Sequence, residues 1–105
     1  MVADYLAAKK LFETSCDFNN INACYNLGLM YMDGRGVKKD INKTLVFFEK
    51  ACEGGLANAC FNLGVIYEND TSVKATNKAL YFFNKGCTLN DKECCLRYGK
   101  LKIAN

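Results

Sequence analysis

The stretch FEKACEGGLANACFNLG, residues 48–64, occurs in three versions along this chain. Its counterparts are FETSCDFNNINACYNLG at residues 12–28 and FNKGCTLNDKECCLRYG at residues 83–99. The copies begin 36 and then 35 residues apart (12 to 48, 48 to 83), and each carries two cysteines eight positions apart. Self-similarity at a period of about 20–50 residues is the signature of repeat proteins, whose units bury their apolar faces against neighbours. The sequence therefore predicts three tandem repeats.

Apolar side chains at helical spacing predict two helices in each repeat, as Ile41, Leu45 and Phe48 illustrate. Short glycine-marked joins, such as Glu53-Gly54-Gly55, make neighbouring helices antiparallel. We predict helices at about residues 3–16, 21–33, 40–53, 57–68, 74–88 and 91–103. The predicted fold class is all-α, an α/α superhelix of the tetratricopeptide-like solenoid type. It forms one domain, 1–105, with repeats at about 3–37, 38–73 and 74–105.

Residue type and the alignment of the repeats each predict one detail of the helix starts. Asp40, and either Asn20 or Asn22, are candidate N-caps, because a short polar side chain can accept a hydrogen bond from a first-turn amide. The third repeat lacks one residue between Val73 and Asn77. We expect this gap at a join between loop and helix, where changes of length are tolerated.

Six of the seven cysteines fall in the repeated pairs. The first cysteine of a pair ends one helix and the second lies in the first turn of the next. These positions can approach within the roughly 4.4–6.8 Å between Cα atoms that a disulfide needs. The register selects the pairs Cys16–Cys24, Cys52–Cys60 and Cys87–Cys95. Each bridge closes a loop of about nine residues and would contribute about 2.5 kcal/mol.

Such dependence on disulfides favours an oxidising compartment, secreted or periplasmic, although this chain carries no recognisable signal peptide. The alternative is a cytosolic protein with reduced cysteines. Cys94 is the odd thiol. It aligns with Ala23 and Ala59, which predicts a small packed residue. It could instead be a dimerising or shuffling thiol, or replace Cys95 as the partner of Cys87.

Composition narrows the classes of function. The net charge of +3 is too small and too evenly spread to indicate nucleic-acid binding, and no run of 18 apolar residues could span a membrane. The chain has no histidine, and this excludes Cys/His and Ser/His catalytic sites and zinc sites with histidine ligands. Ser15 and Ser72 have no lysine three positions on. We predict no catalytic residues, no metal and no cofactor.

Several polar residues recur at one register and are candidates for ligand binding. Asn26 and Asn62, with Arg97 in the third repeat, could donate hydrogen bonds to a peptide or glycan; the alternative is that they satisfy backbone groups between helices. Lys43 and Lys78 repeat on the first helix of their units, which lines the concave face in tetratricopeptide-like solenoids. With Asn42 and Asn77 they are candidate groove residues, and the alternative is a solvated lysine near a helix N-terminus.

The remaining repeated residues predict core positions. Glycines at equivalent positions should let helices approach closely: Gly28, Gly64 and Gly99. Aromatic residues at equivalent positions should be buried: Tyr31, Tyr67, Phe12, Phe48 and Phe83. Lysines replace apolar residues of the other copies near both ends: Lys9, Lys10, Lys100 and Lys102. Polar outward faces of this kind are what terminal caps of a small complete solenoid require.

Three motifs resemble the Sel-one-like repeat, a relative of the tetratricopeptide repeat. They are Asn26-Leu27-Gly28-x-x-Tyr31, Asp33-Gly34-Arg35-Gly36-Val37-x-x-Asp40 and Phe48-Glu49-Lys50-Ala51-Cys52. The eight-residue cysteine spacing is similar to that of the Helicobacter cysteine-rich protein family. The chain departs from the pattern at 69–72, which replaces the Gly-x-Gly loop, and at 97–99, which replaces Asn-Leu-Gly.

The resemblance implies a superhelix with one disulfide per repeat, export, and a role as an adaptor; some members of that family bind penicillin and hydrolyse β-lactams slowly. We therefore predict an exported scaffold, monomeric, that binds a protein, a peptide or a cell-wall fragment. The alternatives are a penicillin-binding protein with weak β-lactamase activity and a cytosolic adaptor.

Overall fold

A computed structural model describes residues 4–104, and all the regular secondary structure in that range is helical. The six helices are α1 (Tyr5–Asp17), α2 (Ile21–Asp33), α3 (Ile41–Glu53), α4 (Ala57–Glu68), α5 (Val73–Thr88) and α6 (Lys92–Ala104). Each bound lies within about two residues of its prediction, and residue 3, the predicted start of the first helix, lies outside the described residues. The all-α prediction is confirmed.

Side-chain caps set the starts of α2 and α3. Asn20, not Asn22, accepts a hydrogen bond from the Ala23 amide at 3.1 Å and starts α2. Asp40 accepts one from the Lys43 amide at 3.2 Å and starts α3. Both caps satisfy amides that the helix itself leaves without a partner. The prediction for Asp40 is therefore confirmed, and the choice left open between the two asparagines is settled.

The start of α5 differs from the prediction. Asp70 accepts a hydrogen bond from the Ser72 amide at 2.9 Å, and the Ser72 hydroxyl accepts one from the Ala75 amide at 3.2 Å. This cap starts α5 at Val73, so α5 has 16 residues where α3 has 13. The missing residue therefore falls inside the first turn of α5, and the prediction that it lies at a loop-to-helix join is wrong.

The chain divides into two compact units after Ala51. In unit 1 (up to residue 51), α1 packs on α2, and Phe48 of α3 is fully buried against Gly28 of α2. A Cβ atom at position 28 would overlap the Phe48 ring. The buried Thr44 hydroxyl donates to the Gly28 carbonyl oxygen at 3.1 Å. Gly28 thus allows a close helix contact, as predicted.

Unit 2 (from residue 52) packs α4, α5 and α6 around the fully buried Phe83. Gly64 contacts the Phe83 ring as Gly28 contacts Phe48, and a Cβ atom there would overlap it. Gly99 is different, because a Cβ atom at that position meets no described atom within 4 Å. The prediction of a packing glycine is confirmed for Gly64 and wrong for Gly99, since no described helix lies over that face of α6.

The three disulfides are Cys16–Cys24, Cys52–Cys60 and Cys87–Cys95, as predicted, with Cα atoms 4.7, 4.8 and 4.5 Å apart. A left-handed residue stands three positions after the first cysteine of each pair: Asn19 (φ 66°), Gly55 (φ 100°) and Asn90 (φ 70°). Its amide donates to the carbonyl of that cysteine at 2.9, 3.0 and 2.9 Å respectively. Glycine and asparagine adopt this conformation most readily. The same tight turn therefore brings each cysteine pair together.

Candidate functional site

A lysine, a tyrosine and a phenylalanine form one contact group in unit 1. Lys43 and Phe47 lie one turn apart on α3, so both reach Tyr31 of α2. The Lys43 ammonium lies over the Tyr31 ring, 5.1 Å from its centroid. The rings of Tyr31 and Phe47 are nearly parallel, at 13°, with centroids 6.0 Å apart. Tyr31 is buried, as predicted, and Lys43 is exposed. We call this group the tyrosine stack of unit 1.

Unit 2 contains the same arrangement. The Lys78 ammonium lies 5.2 Å from the centroid of Tyr67. The rings of Tyr67 and Phe82 are 5.9 Å apart at 11°. Unit 2 therefore has its own tyrosine stack, with distances within about 0.1 Å of those in unit 1. The sequence marked the lysines as groove candidates and the tyrosines as core, and the structure joins the two sets.

Sequence reasoning missed the phenylalanines of the two stacks, Phe47 and Phe82. A signal for them was present, since both follow the repeated lysine by four positions and recur 35 residues apart. Their neighbours Phe48 and Phe83 are the fully buried residues of the pair. The two adjacent phenylalanines of each unit therefore make different contacts: the first stacks on the tyrosine and the second packs on the glycine.

A cleft of about 460 Å³ opens beside the tyrosine stack of unit 1. Four lysines from α1, the 36–40 loop and α3 line it: Lys9, Lys38, Lys39 and Lys43. Tyr31, Val37 and Gly36 supply the rest of the wall, with Asp40. Lys9 pairs with Glu13 at 3.8 Å. Among residues 4–104, no carboxylate forms an ion pair with the other three lysines. We call this opening the lysine cleft.

The equivalent opening in unit 2 is smaller, about 120 Å³. It is lined by Lys74 and Lys78, with Tyr67, Ser72, Ala75 and the carboxylate of Asp70. Lys74 corresponds to Lys38 in the sequence. The longer α5 changes this region, because its first turn occupies the chain positions that form a loop in unit 1. The two units therefore share the tyrosine stack but differ in the charge and size of the adjoining cleft.

The other predicted binding residues are not gathered at one place. In unit 1, Asn26 is half-buried and lines a separate cleft of about 370 Å³ with Phe12 and Arg35, whose guanidinium lies 3.5 Å from Asp33. Asn42 is exposed on α3. In unit 2, Asn77 lines a cleft of about 490 Å³ with, among others, Val73, Leu80 and Lys102.

Arg97 is held by groups of the protein itself. It donates to Glu68 of α4 at 3.1 Å and to Glu93 of α6 at 3.4 Å. Its guanidinium lies 5.2 Å from the ring centroid of Phe61. Asn62, at the equivalent register on α4, is half-buried. Arg97 thus fastens α6 to α4, a contact that the sequence pattern did not indicate.

Cys94 is a free thiol, fully buried against Gly86 and packed with Ala79 and Phe83. Burial, with the nearby carboxylates of Asp91 and Glu93, raises the pKa of the Cys94 thiol to about 12. A thiol of this kind is protonated and inaccessible at neutral pH, so it is a poor nucleophile.

Two further kinds of site, a metal centre and a membrane span, can be checked against the described residues. Residues 4–104 contain no group of three or more Cys, Asp or Glu side chains placed to hold a metal ion. None of the helices described is both long and apolar enough to cross a membrane.

Helix pairs of about 36 residues, each closed by one disulfide, define a repeat scaffold of the tetratricopeptide-like class. Within that class, the chain belongs to the Sel1 repeat family, whose model matches residues 21–56 and 57–91. This confirms the predicted fold class and the Sel-one-like resemblance.

Two curated relatives come from Helicobacter pylori, and both bear the name "Putative beta-lactamase HcpC". The protein of strain J99 is 45% identical over 40 residues, which are 38% of this chain and 14% of the relative. That of strain 26695 is 47% identical over 36 residues, 34% of this chain and 12% of the relative. The chain therefore spans only a small part of the curated relatives it matches.

Two solved structures are similar over most of the chain. Cysteine-rich protein B of Helicobacter pylori, HcpB, is 32% identical with a TM-score of 0.73, and the match covers 83% of this chain and 66% of that one. A Sel1 repeat protein from Oxalobacter formigenes is 30% identical with a TM-score of 0.77, covering 92% and 40%. The resemblance to the Helicobacter cysteine-rich proteins is thereby confirmed.

Proposed function

We propose that this disulfide-stapled scaffold binds peptide segments of a protein partner, and that each unit offers its own tyrosine stack as a contact site. The observation that carries the proposal is the repetition of the stack: Lys43 over Tyr31 in unit 1 and Lys78 over Tyr67 in unit 2, at 5.1 and 5.2 Å. The core of each unit needs the phenylalanine that packs on glycine. It does not need an exposed ammonium in the same place twice.

The chemistry of the stack suits peptide recognition. Tyr31 is buried and Tyr67 is half-buried, so each stack presents mainly its exposed lysine, held over an aromatic ring that also lines the adjoining cleft. A lysine over the ring is stabilised there by about 0.5–1 kcal/mol, which orients its ammonium before a ligand arrives. The disulfides at the helix turns make the units rigid, so little conformational entropy is lost on binding. Preorganised cation and aromatic pairs are well matched to carbonyl, carboxylate and apolar groups of a peptide.

We further propose that the protein works outside the cytoplasm, secreted or in a periplasm. Two observations support this. Three disulfides close the helix turns, and such bonds persist in oxidising compartments. The similar structures include a cysteine-rich protein of the same repeat family. The competing proposals are an adaptor with reduced cysteines in the cytosol and a scaffold for cell-wall fragments.

A peptide library selected on the oxidised chain tests the binding function. The informative variants are Lys43→Met and Lys78→Met, which keep an apolar stem and remove the ammonium, each on its own and together. Lys50→Met, on the exposed side of α3, is the matched control. We expect selected peptides to bind the wild type and the control alike and to lose about fivefold or more on the double variant. Equal binding by all variants, or selection of no peptide, contradicts the proposal.

A second candidate function is slow β-lactam hydrolysis. Its support is the name shared by the two curated relatives, which is a statement about those proteins. The sequence supplies no motif for it, and we rank it below peptide binding.

A further inference from the structure

We infer that the lysine cleft of unit 1 selects carboxylate-rich peptide segments, so that the partner presents an acidic stretch to this scaffold. The inference rests on the proposed peptide-binding function and specifies the chemistry of the ligand. Its basis is the positive charge of the four lysines that line one opening, where Asp40 supplies the one lining carboxylate among residues 4–104.

The charge of the cleft comes from three separate elements. Lys9 lies on α1, Lys38 and Lys39 follow one another in the loop before α3, and Lys43 lies in the first turn of α3. The Asp40 carboxylate is already engaged by the Lys43 amide at 3.2 Å, and Glu13 on α1 pairs with Lys9. Lys38 and Lys39 are exposed and form no ion pair within residues 4–104. Like charges that line one opening repel one another, and an anionic ligand would relieve that repulsion.

The walls of the cleft favour a peptide over a phosphate group. Lysine binds phosphate as a point charge, and selective phosphate sites add the planar fork of arginine or converging backbone amides. The lining residues in the described part of the chain include no arginine, and Arg35 in the adjoining loop lies beside Asp33 instead. The first-turn amide of Lys43 is taken by Asp40. Tyr31 and Val37 add apolar surface, and the volume of about 460 Å³ falls in the range of clefts that hold side chains rather than one ion.

Unit 2 provides an internal comparison. Its opening keeps Lys74 and Lys78 beside Tyr67, but it is smaller and includes the carboxylate of Asp70. One aspartate lines each opening, but the opening of unit 2 has two lysines where the lysine cleft has four, so it should discriminate less between acidic and neutral segments. Selectivity for carboxylates is therefore a property of unit 1, whereas the tyrosine stack is common to both units.

The test is a nuclear magnetic resonance titration of the oxidised full chain with two short peptides, one rich in glutamate and one with glutamine at the same positions. We expect the glutamate peptide to shift the amide signals of residues 36–43 and to bind about tenfold more tightly than the glutamine peptide. Raising the salt to about 0.5 M should remove most of that difference, because screening shortens the range of the charges.

Matched variants locate the effect. The double substitution Lys38→Gln and Lys39→Gln should weaken binding of the glutamate peptide by about five- to tenfold. The pair Lys10→Gln and Lys50→Gln removes the same charge from exposed positions of unit 1 that do not line the cleft, and should weaken it less than about twofold. All four residues are exposed, so circular dichroism should show unchanged folding in both variants.

The outcomes separate the inference from the function on which it rests. If the two peptides bind equally well, or both double variants behave alike, the acidic selectivity is wrong while peptide binding stands. If inorganic pyrophosphate or duplex DNA displaces the glutamate peptide and binds more tightly than it does, the cleft is a polyanion site and the inference is overturned. If neither peptide binds and the library selection also fails, both proposals are wrong.

Discussion

The Lys43 ammonium lies 5.1 Å from the centroid of the Tyr31 ring, across the boundary between α3 and α2. This contact joins an exposed charge to a buried ring, and at about 0.5–1 kcal/mol it favours the rotamers that keep the ammonium over the ring. A lysine on a helix surface ordinarily samples many rotamers and loses entropy when it is ordered. Here part of that entropy is lost on folding, which leaves less to lose when a ligand binds.

Two glycines at equivalent positions of the repeat should respond oppositely to alanine. Gly64→Ala places a methyl group against the Phe83 ring and should lower the free energy of unfolding by about 1–3 kcal/mol. Gly99→Ala adds a methyl group to an open helix face and should raise it by about 0.5–1 kcal/mol. Urea unfolding of the two variants measures both. A similar loss in each would show that the open face at Gly99 is covered.

Alkylation followed by intact mass should report three states of the cysteines. The native oxidised chain should take up no iodoacetamide, because Cys94 is buried. The unfolded but unreduced chain should take up one, and the reduced chain all seven. Cys94→Ala should remove the single adduct in the unreduced, unfolded sample. Several adducts on the native chain would mean that the disulfides do not form, and would favour the cytosolic alternative.

The Cys94 thiol should make stability depend on pH above about 9. Its pKa is raised from 9.0 to about 12 by burial and by Asp91 and Glu93. Between these values the unfolded chain loses the thiol proton and the folded chain keeps it, so rising pH favours unfolding. The free energy of unfolding of the wild type should therefore fall, relative to Cys94→Ala, by about 1.4 kcal/mol per pH unit in that window.

Urea unfolding at about pH 8 and about pH 10, with the disulfides intact, measures that dependence. Parallel behaviour of the wild type and Cys94→Ala would show that the thiol is solvated in the folded protein.

The bond from Arg97 to Glu68 should stabilise the contact between α6 and α4. Both side chains are about one-third exposed, at 37% and 33%, so solvent screens the pair. A double-mutant cycle with Arg97→Gln and Glu68→Gln should give a coupling of about 0.3–1 kcal/mol, reduced at high salt. The same cycle with Glu93→Gln, an i,i+4 pair on α6, should give less. A coupling of zero with Glu68 would mean that Arg97 acts only through its contact with Phe61.

The sequence predicts the helices and the disulfides because their determinants are local and repeated. Cys16 and Cys24 stand on either side of one tight turn, so their separation depends only on that turn and its left-handed residue, Asn19. The turn recurs at Gly55 and Asn90. Caps such as Asn20 act over three residues and are equally visible in the sequence.

The sequence does not predict contacts that depend on which helix lies opposite. Gly28 and Gly99 are equivalent in the repeat, but only Gly28 has a phenylalanine against it. The tyrosine stacks escaped prediction for the same reason, because Tyr31 and Phe47 come from different helices and neither residue type by itself indicates a stacked pair. Likewise, Arg97 occupies the register of Asn62 yet bonds to carboxylates on two helices. The fold could therefore be predicted from the sequence, whereas the candidate site could be identified only in the structure.

Hydrolysis of a β-lactam by this chain should not exceed background. A serine nucleophile needs a base beside it. The Ser72 hydroxyl instead accepts a hydrogen bond from the Ala75 amide and caps a helix, and no lysine stands three positions after Ser72. Cys94, the one free thiol in the described chain, is buried with its pKa raised to about 12. A nitrocefin assay with excess oxidised protein should therefore match a control treated with heat and reductant. Turnover that survives purification and is lost in Ser72→Ala, but not in Ser15→Ala, would contradict this expectation and would make β-lactam hydrolysis the leading function.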